Sequence, residues 1–193
     1  QISSDAKKGL ADTAAQVNTL LPELAQINAQ IIKGTTSGNS YPSADLLDER
    51  DRLLSQLQKL VGGQSLINGD GTATHLIAGM PLVDRTVANK LVMNGSQDRQ
   101  TAVYSLKSGT SNNTITTIQH LDGGQAGALL ELVNTFAPKI NQRLDAIALG
   151  LVSAANTASR TAQNIGSDYP LAIFGFQVNS EKIPNSFYGD ISY

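Results

Sequence analysis

The chain has 193 residues, a net charge of −2, 16% charged residues and no cysteine. This length is enough for one large domain or two small ones. The small charge argues against a nucleic-acid or anionic-membrane partner, and the missing cysteines exclude disulfides and thiolate chemistry. No apolar run has transmembrane length and no signal-peptide pattern opens the chain, and because Gln1 is an unusual start we expect a fragment.

Residues 1–33 are predicted to form one long helix. Asn28 occupies one core position of its heptad pattern, and Pro22 should kink the helix because proline removes a backbone hydrogen bond. The loop at residues 34–40 predicts antiparallel packing against the next helix. The heptad spacing is carried by Leu10, Ala14, Val17, Leu21, Leu24 and Ile31.

A second helix is predicted at residues 45–61, where pairs of leucines recur with helical spacing and give a broad apolar face. Ser43 or Asp45 is expected to cap its N-terminus, and Gly62 to end it. Asp48 and Arg52 are spaced for an ion pair on the outer face.

Arg50 breaks the pattern of this helix because it lies on or beside the leucine stripe. A buried guanidinium must be paired, so we predict a carboxylate partner from another segment, such as Glu131 or Asp145, rather than the adjacent Asp51. The alternative is an exposed arginine at the edge of the stripe.

Residues 62–122 are predicted to form a small β-rich domain. The turn sequence Asn-Gly-Asp-Gly at residues 68–71 predicts a hairpin between strands at 64–67 and 72–77. Further short strands are predicted at residues 80–83, 90–93, 102–106 and 113–118.

A third helix is predicted from Gly127 to about Thr161, with a kink at Pro138. Residues 164–193 hold six of the nine aromatic residues and have no clear assignment. A second heptad pattern, expected to be buried, comprises Val133, Ala137, Ile140, Leu144, Ile147, Leu151 and Ala154.

The predicted fold class is therefore α+β: a long-helix coiled coil or three-helix bundle with an inserted small antiparallel β-rich domain. The predicted domains are residues 1–61 plus 123–163 for the helices, 62–122 for the β-rich part, and 164–193 for a tail of uncertain assignment.

No catalytic, cofactor or metal residues are predicted. The two histidines, His75 and His120, have no second ligand at a useful spacing and are interpreted as surface residues. Residues 68–71 fit a hairpin turn better than a calcium-binding loop. Residues 122–127 lack the Gly-Lys-Ser/Thr ending of a phosphate-binding loop, which argues against a nucleotide site. The acidic residues of the second helix are interpreted as part of its solvent-exposed face.

The run Leu-Leu-Asp-Glu-Arg-Asp-Arg-Leu-Leu at residues 46–54 resembles the L-L-D-x-R-D-x-L-L signature of the FlgK family of flagellar hook-associated proteins. Residues 79–91 and 123–156 resemble two further family segments, in the family's order. The family's histidine after Asn156 is missing here. The residues of the signature, predicted to form a structural motif, are Leu46, Leu47, Asp48, Arg50, Asp51, Leu54 and Leu57.

The resemblance implies a non-enzymatic, extracellular subunit of the bacterial flagellum, exported without a cleaved signal peptide. It would form a ring-like zone with copies of itself between the hook protein and the next hook-associated or filament protein. An export chaperone would accompany the full-length protein, and the fragment would be monomeric.

Two other interpretations remain open. One is a different axial or adhesive surface protein whose β-rich part binds host ligands, which an aromatic platform would favour. The other is a glycan-acting enzyme, which would need paired acids such as Asp84 and Asp122.

Overall fold

The computed structural model describes residues 2–36, 42–94 and 101–163. The aromatic tail predicted at 164–193 lies outside these residues. The chain divides into two units, residues 1–139 and 140–193. The helices are α1 (Ile2–Thr36), α2 (Ala44–Val61), α3 (Gly124–Glu131) and α4 (Ala137–Gln163), with a π-helical turn (Leu132–Phe136) between α3 and α4.

Seven strands lie between α2 and α3 in the described residues. β1, β2, β3 and β4 form one sheet in that order, and β5, β6 and β7 form a second. All neighbouring strands are antiparallel. The strands are β1 (Gln64–Ile67), β2 (Ala73–Ile77), β3 (Met80–Asp84), β4 (Val87–Ala88), β5 (Lys90–Asn94), β6 (Val103–Lys107) and β7 (Thr114–Ile118).

This architecture confirms the predicted α+β class, with three helical segments and inserted antiparallel strands. The hairpin at residues 68–71 and the six predicted strand regions that follow or flank it are present. The two-residue strand β4 was not predicted, because so short an element carries no alternation that a sequence pattern can show.

One apolar core joins the helices and both sheets within residues 1–139. α1, α2 and α3 pack against one another, and α1 also packs on β3, β4 and β5. The heptad residues of α1 are buried as predicted, with Leu10, Val17, Leu21 and Leu24 fully inaccessible. α1 is continuous through Pro22, whose kink stays a prediction.

The π-helical turn lies just before Pro138, and the kink predicted at that residue stays a prediction. The backbone N–H of Ala137 donates to the carbonyl of Leu132, five residues earlier. Pro138 has no N–H to donate, and its ring would crowd the carbonyl of Asn134 in a regular α-helix. The wider turn just before Pro138 relieves that conflict.

The second heptad pattern is buried only at its start. Val133 is 1% exposed, whereas Ile140 is 41%, Leu144 57%, Ile147 68% and Leu151 71% exposed. The expectation that these four residues are buried is therefore wrong for the described residues. Heptad spacing aligns apolar side chains on one face of a helix, but it does not provide the element that covers them.

Candidate functional site

The FlgK-like signature lies on α2, and its leucines face the core. Leu54 and Leu57 are buried, and Leu46 and Leu47 are partly buried. Asp48 and Asp51 are exposed on the other side. The helix therefore presents one broad apolar face, as its leucine spacing predicts, and the leucines of the signature lie on that face.

Arg50 is the exception within the signature, because it is a charged residue on the buried side and is only 7% exposed. Its Nε donates to Oδ1 of Asp51 at 2.8 Å, and one Nη lies 2.7 Å from the same oxygen. Its other Nη donates to the carbonyl oxygen of Gly71. The prediction of a buried, paired guanidinium is confirmed.

The partner predicted for Arg50 is wrong. Neither Glu131 nor Asp145 is bonded to it; the carboxylate comes from the adjacent Asp51. Asp51 reaches only one side of the guanidinium, and the carbonyl of Gly71 meets the other. Arg50 thus joins α2 to the turn between β1 and β2, which is a contact between two elements of different type.

The same turn is fixed from within. The carboxylate of Asp70 accepts from the backbone N–H of Thr72 at 3.0 Å and from its hydroxyl at 2.6 Å. Arg85 lies 3.1 Å from the other carboxylate oxygen. These hydrogen bonds, with a smaller contribution from Arg85, lower the pKa of Asp70. The carboxylate that a calcium loop would use is therefore engaged in shaping the hairpin.

Gly71 shows how closely this turn lies against the helices. Its φ of 82° is in the region that favours glycine. A Cβ atom at this position would lie 3.1 Å from Pro42 and 3.4 Å from Ile31. The turn is therefore held between the end of α1 and the start of α2.

Three asparagines from the helical segments each bond both backbone groups of a single residue of the β-rich part. Asn28 is fully buried; its Oδ1 accepts from the N–H of Ala73 at 2.9 Å, and its amide donates to the carbonyls of Ala73 at 2.8 Å and Arg85 at 2.6 Å. The side chain thereby pairs with Ala73 as a neighbouring strand would.

Asn18 and Asn134 repeat this arrangement. Asn18 accepts from the N–H of Leu91 at 2.8 Å and donates to its carbonyl at 2.7 Å. Asn134 accepts from the N–H of Ala102 at 2.7 Å and donates to its carbonyl at 2.8 Å. We call Asn18, Asn28 and Asn134 the asparagine clamps. Only Asn28 was singled out from the sequence, because its heptad position marked it; Asn18 and Asn134 each follow a buried valine.

Tyr104 adds a further bond between helix and sheet. It is fully buried, and its hydroxyl donates to the carbonyl of Leu10 at 2.7 Å. Burial raises the pKa of its hydroxyl. The aromatic ring is thus part of the core, and it offers no exposed platform for a glycan or a host protein.

His75 is buried, so its interpretation as a surface residue is wrong. It occupies the inward phase of β2, between the buried Ala73 and Ile77. Nε2 lies 3.0 Å from the carbonyl of Gly62 and must donate, so in the neutral ring Nδ1 accepts from the hydroxyl of Ser65 at 2.9 Å. Burial lowers the pKa of His75, opposed by the bond to Gly62.

The glycine-rich segment before α3 makes a close backbone contact with the end of α2. A Cβ atom at Gly124 would lie 2.4 Å from the backbone nitrogen of Gly62, and one at Gly62 would lie 2.8 Å from the backbone of Gly123. This contact explains Gly62 and Gly124 without a bound phosphate, because only residues that lack a Cβ atom allow the two backbones to approach so closely.

An open cavity of about 620 Å³ lies beside this contact. Asp122 is the one charged residue in its lining, and Asp84 is not part of it. Asp84 instead accepts a hydrogen bond from Thr74 at 3.3 Å, and Asp122 lies 3.1 Å from the exposed His120. The paired acids that a glycan-acting enzyme would need are therefore not brought together there.

One other charge prediction can be compared with the structure. Arg52 pairs with Glu49, three residues earlier, instead of with Asp48, and this contact lowers the pKa of Glu49.

Within residues 2–36, 42–94 and 101–163, no group of three or more acidic or histidine side chains could hold a metal ion. No helix in these ranges is both long and apolar enough to span a membrane.

Comparison with known proteins identifies the family. The model of the flagellar hook-associated protein FlgK helical domain matches residues 1–174. The chain belongs to this family. It is 27% identical over 155 residues to flagellar hook-associated protein 1 of Escherichia coli K12, covering 79% of this chain and 28% of that protein. Its identity to the Salmonella typhimurium LT2 protein of the same name is 29% over 150 residues, or 76% of this chain and 27% of that protein.

A solved structure agrees with this assignment. The flagellar hook junction protein FlgK from Burkholderia pseudomallei superimposes with a TM-score of 0.55 at 28% identity, over 68% of this chain and 24% of that chain. The chain thus spans about a quarter of the length of the FlgK proteins it matches. The signature on α2 belongs to a helical domain, in agreement with its position here.

Proposed function

We propose that this chain is the helical-domain part of a structural subunit of the bacterial flagellum, one that forms the junction zone between hook and filament. The observation that carries the proposal is the family match over residues 1–174. The names of the relatives, hook-associated protein 1 and hook junction protein, support the same role. The subunit would be extracellular, exported without a cleaved signal peptide, and not an enzyme.

The partners in this proposal are copies of the same subunit in a ring-like zone, the hook protein, and the next hook-associated or filament protein. The full-length protein would also bind an export chaperone. Nucleic acid and membrane have no part in it, and the net charge of −2 supports this. The domain limits proposed from the sequence, with helices at 1–61 plus 123–163 and a β-rich part at 62–122, are retained as part of the proposal.

The contacts between the helices and the β-rich part support a structural role. Arg50, the asparagine clamps and Tyr104 each bond a helical segment to a strand, to a turn or to the residue just before a strand. Buried, satisfied polar bonds of this kind fix one relative arrangement of two elements, because any shift leaves a polar group unpaired. We propose that the signature residues of α2, with Arg50 at their centre, have this structural role.

The proposal is tested by adding the purified full-length protein to isolated hooks and imaging the hook ends by electron microscopy. We expect an added zone at the distal end of each hook, onto which filament protein then polymerises only when that zone is present. A matched sample receives a full-length variant with Arg50→Ala, which should form the zone less completely. Hooks that remain bare with the unaltered protein would contradict the proposed function.

A further inference from the structure

The hairpin turn to which Arg50 is bonded contains the pair Asn68-Gly69. In such a pair the backbone nitrogen of the glycine can attack the side-chain amide carbon of the asparagine, because glycine has no side chain to hinder the approach. The new C–N bond closes a succinimide ring. The bond to the side-chain nitrogen breaks, and that nitrogen leaves as ammonia with the proton of the glycine N–H. Water then opens the ring and gives aspartate or isoaspartate.

The attacking nitrogen is accessible in the folded protein. Gly69 is exposed, and its N–H donates to no hydrogen bond among the described residues. Its φ lies outside the left-handed region, unlike that of Gly71. A Cβ atom at Gly69 would meet no other atom within 4 Å. The backbone of the turn therefore does not require glycine at this position, although the reaction depends on it.

Asn68, in contrast, is held by four hydrogen bonds. Its N–H donates to the carbonyl of Thr72 at 2.8 Å, and its carbonyl accepts from the N–H of Gly71 at 2.9 Å. Its side-chain amide donates to the hydroxyl oxygens of Thr72 at 2.9 Å and Thr74 at 3.4 Å. Ring closure requires the side chain and the backbone of Asn68 to rotate, which these bonds oppose. The reaction therefore proceeds from an opened turn.

The opening of the turn is opposed from α2. The guanidinium of Arg50 donates to the carbonyl of Gly71, which follows Gly69 by two residues. A turn that opens must give up this bond and leave the buried guanidinium with Asp51 as its partner. Arg50 thus sets how often Asn68 becomes free to react.

The product cannot restore the original turn. A carboxylate at position 68 has no N–H to donate to Thr72 or Thr74. The hydroxyl of Thr72 already donates to Asp70 at 2.6 Å, so it would lie between two carboxylates of like charge. Isoaspartate also adds a methylene to the main chain and changes the register of the two backbone bonds. Either product therefore keeps the turn from closing as before.

We propose that Asn68 is a site of spontaneous deamidation, blocked while Arg50 is bonded to Gly71 and open to reaction when that contact breaks. The co-reactant is water, and the modification is a lasting covalent record of turn opening. The inference is independent of the proposed function, since it depends only on residues of the turn and of α2.

The proposal is tested by incubating the folded protein at neutral pH and measuring deamidation of each asparagine by peptide mass spectrometry. Arg50→Ala should accelerate the reaction at Asn68 by about fivefold or more, because the rate follows the population of the open turn. The second asparagine-glycine pair, at residues 94–95, is an internal control whose rate should not change. No acceleration at Asn68, or an equal one at Asn94, would overturn the proposal.

A second comparison separates local opening from global unfolding. Leu54→Ala removes a buried side chain of the same helix and no hydrogen bond of the turn, so it should accelerate the reaction at Asn68 much less than Arg50→Ala does. Equal rates in the two variants would show that global unfolding, and not Arg50, controls the site. Circular dichroism checks the fold. Arg50→Lys replaces the alanine variant if that variant does not fold, with a smaller acceleration expected.

Two further variants test the chemistry and its consequence. Gly69→Ala should leave the fold intact and slow the reaction at Asn68 several-fold, in the folded protein and in urea alike; an unchanged rate would exclude the succinimide route. Asn68→Asp carries one product, and it should lower the urea midpoint and the protection of the turn amides from hydrogen exchange. If both stay as in the unaltered protein, the modification does not hold the turn open.

Discussion

Asn28 and Ala73 are joined by two hydrogen bonds, one from the side-chain amide to the carbonyl of Ala73 at 2.8 Å and one from its N–H to Oδ1 at 2.9 Å. Asn28 is fully buried, so bulk solvent does not reach these bonds in the folded protein. This pair, 45 residues apart in sequence, is where the first helix meets the first sheet.

We expect Asn28→Ala to lower the free energy of unfolding by at least about 2 kcal/mol, because it leaves the buried backbone groups of Ala73 unpaired. Asn28→Asp should also destabilise, since it lacks the amide donors that bond the carbonyls of Ala73 and Arg85. Urea unfolding followed by circular dichroism measures both. Gln26→Ala, at an exposed position of the same helix, should leave stability nearly unchanged, and an equal loss there would argue against the clamp.

Arg50→Lys should destabilise by about 1–2 kcal/mol, and Arg50→Ala by more. Lysine carries a single ammonium group and cannot bond both Asp51 and the Gly71 carbonyl with the planar geometry of a guanidinium. A double-mutant cycle with Asp51→Asn should give a favourable coupling energy between the two side chains. Arg52→Lys, on the exposed face, is the control and should leave the urea midpoint where it was. An Arg50→Lys variant as stable as the unaltered protein would show that the planar guanidinium is not needed.

Leu54→Ala and Leu144→Ala should differ in their effects although both leucines follow helical spacing. Leu54 is 6% exposed, and its truncation should cost about 2–5 kcal/mol. Leu144 is 57% exposed in this chain, so its truncation should be close to neutral. Urea melts of the two variants under the same conditions decide this. A large loss for Leu144→Ala would mean that a further element covers α4.

Acid should destabilise the protein through His75. Burial lowers its folded-state pKa below the usual 6.5, so the unfolded chain binds more protons between these two values. The stability that depends on neutral His75 is therefore complete above about pH 6.5 and is lost as the pH falls towards the folded pKa. The free energy of unfolding, measured from pH 8 to pH 5, should decline less steeply in His75→Gln. The His120→Gln variant, changed at an exposed histidine, should retain the slope of the unaltered protein. Identical slopes for the unaltered protein and both variants would show that His75 does not cause the loss of stability.

The isolated chain should be monomeric at micromolar concentration. The edge strands β1 and β7 have only four and five residues, and contacts of that size are weak unless many act together. Sedimentation velocity at several concentrations measures this directly. A stable ring in dilute solution would contradict the prediction and would require a far larger interface than β1 and β7 provide.

Sequence patterns alone determined most of the helices and strands and the apolar faces of α1 and α2. The spacing of leucines and alanines fixed α1 and α2, and the run Asn-Gly-Asp-Gly fixed the hairpin, because these signals depend on residues close together in the chain. The burial of Arg50 was predictable for the same reason, since its position on the leucine stripe follows from helical geometry.

Only the tertiary structure decided what each face and each polar group meets. Arg50 bonds Gly71, Asn18 bonds Leu91 and Tyr104 bonds Leu10, over separations of 21, 73 and 94 residues. His75 is buried because other segments enclose its strand, and Leu144 is exposed because no described element lies on its face. Local periodicity specifies the direction in which a side chain points. Its partner depends on how segments distant in the sequence pack together, and a local pattern carries no information about that packing.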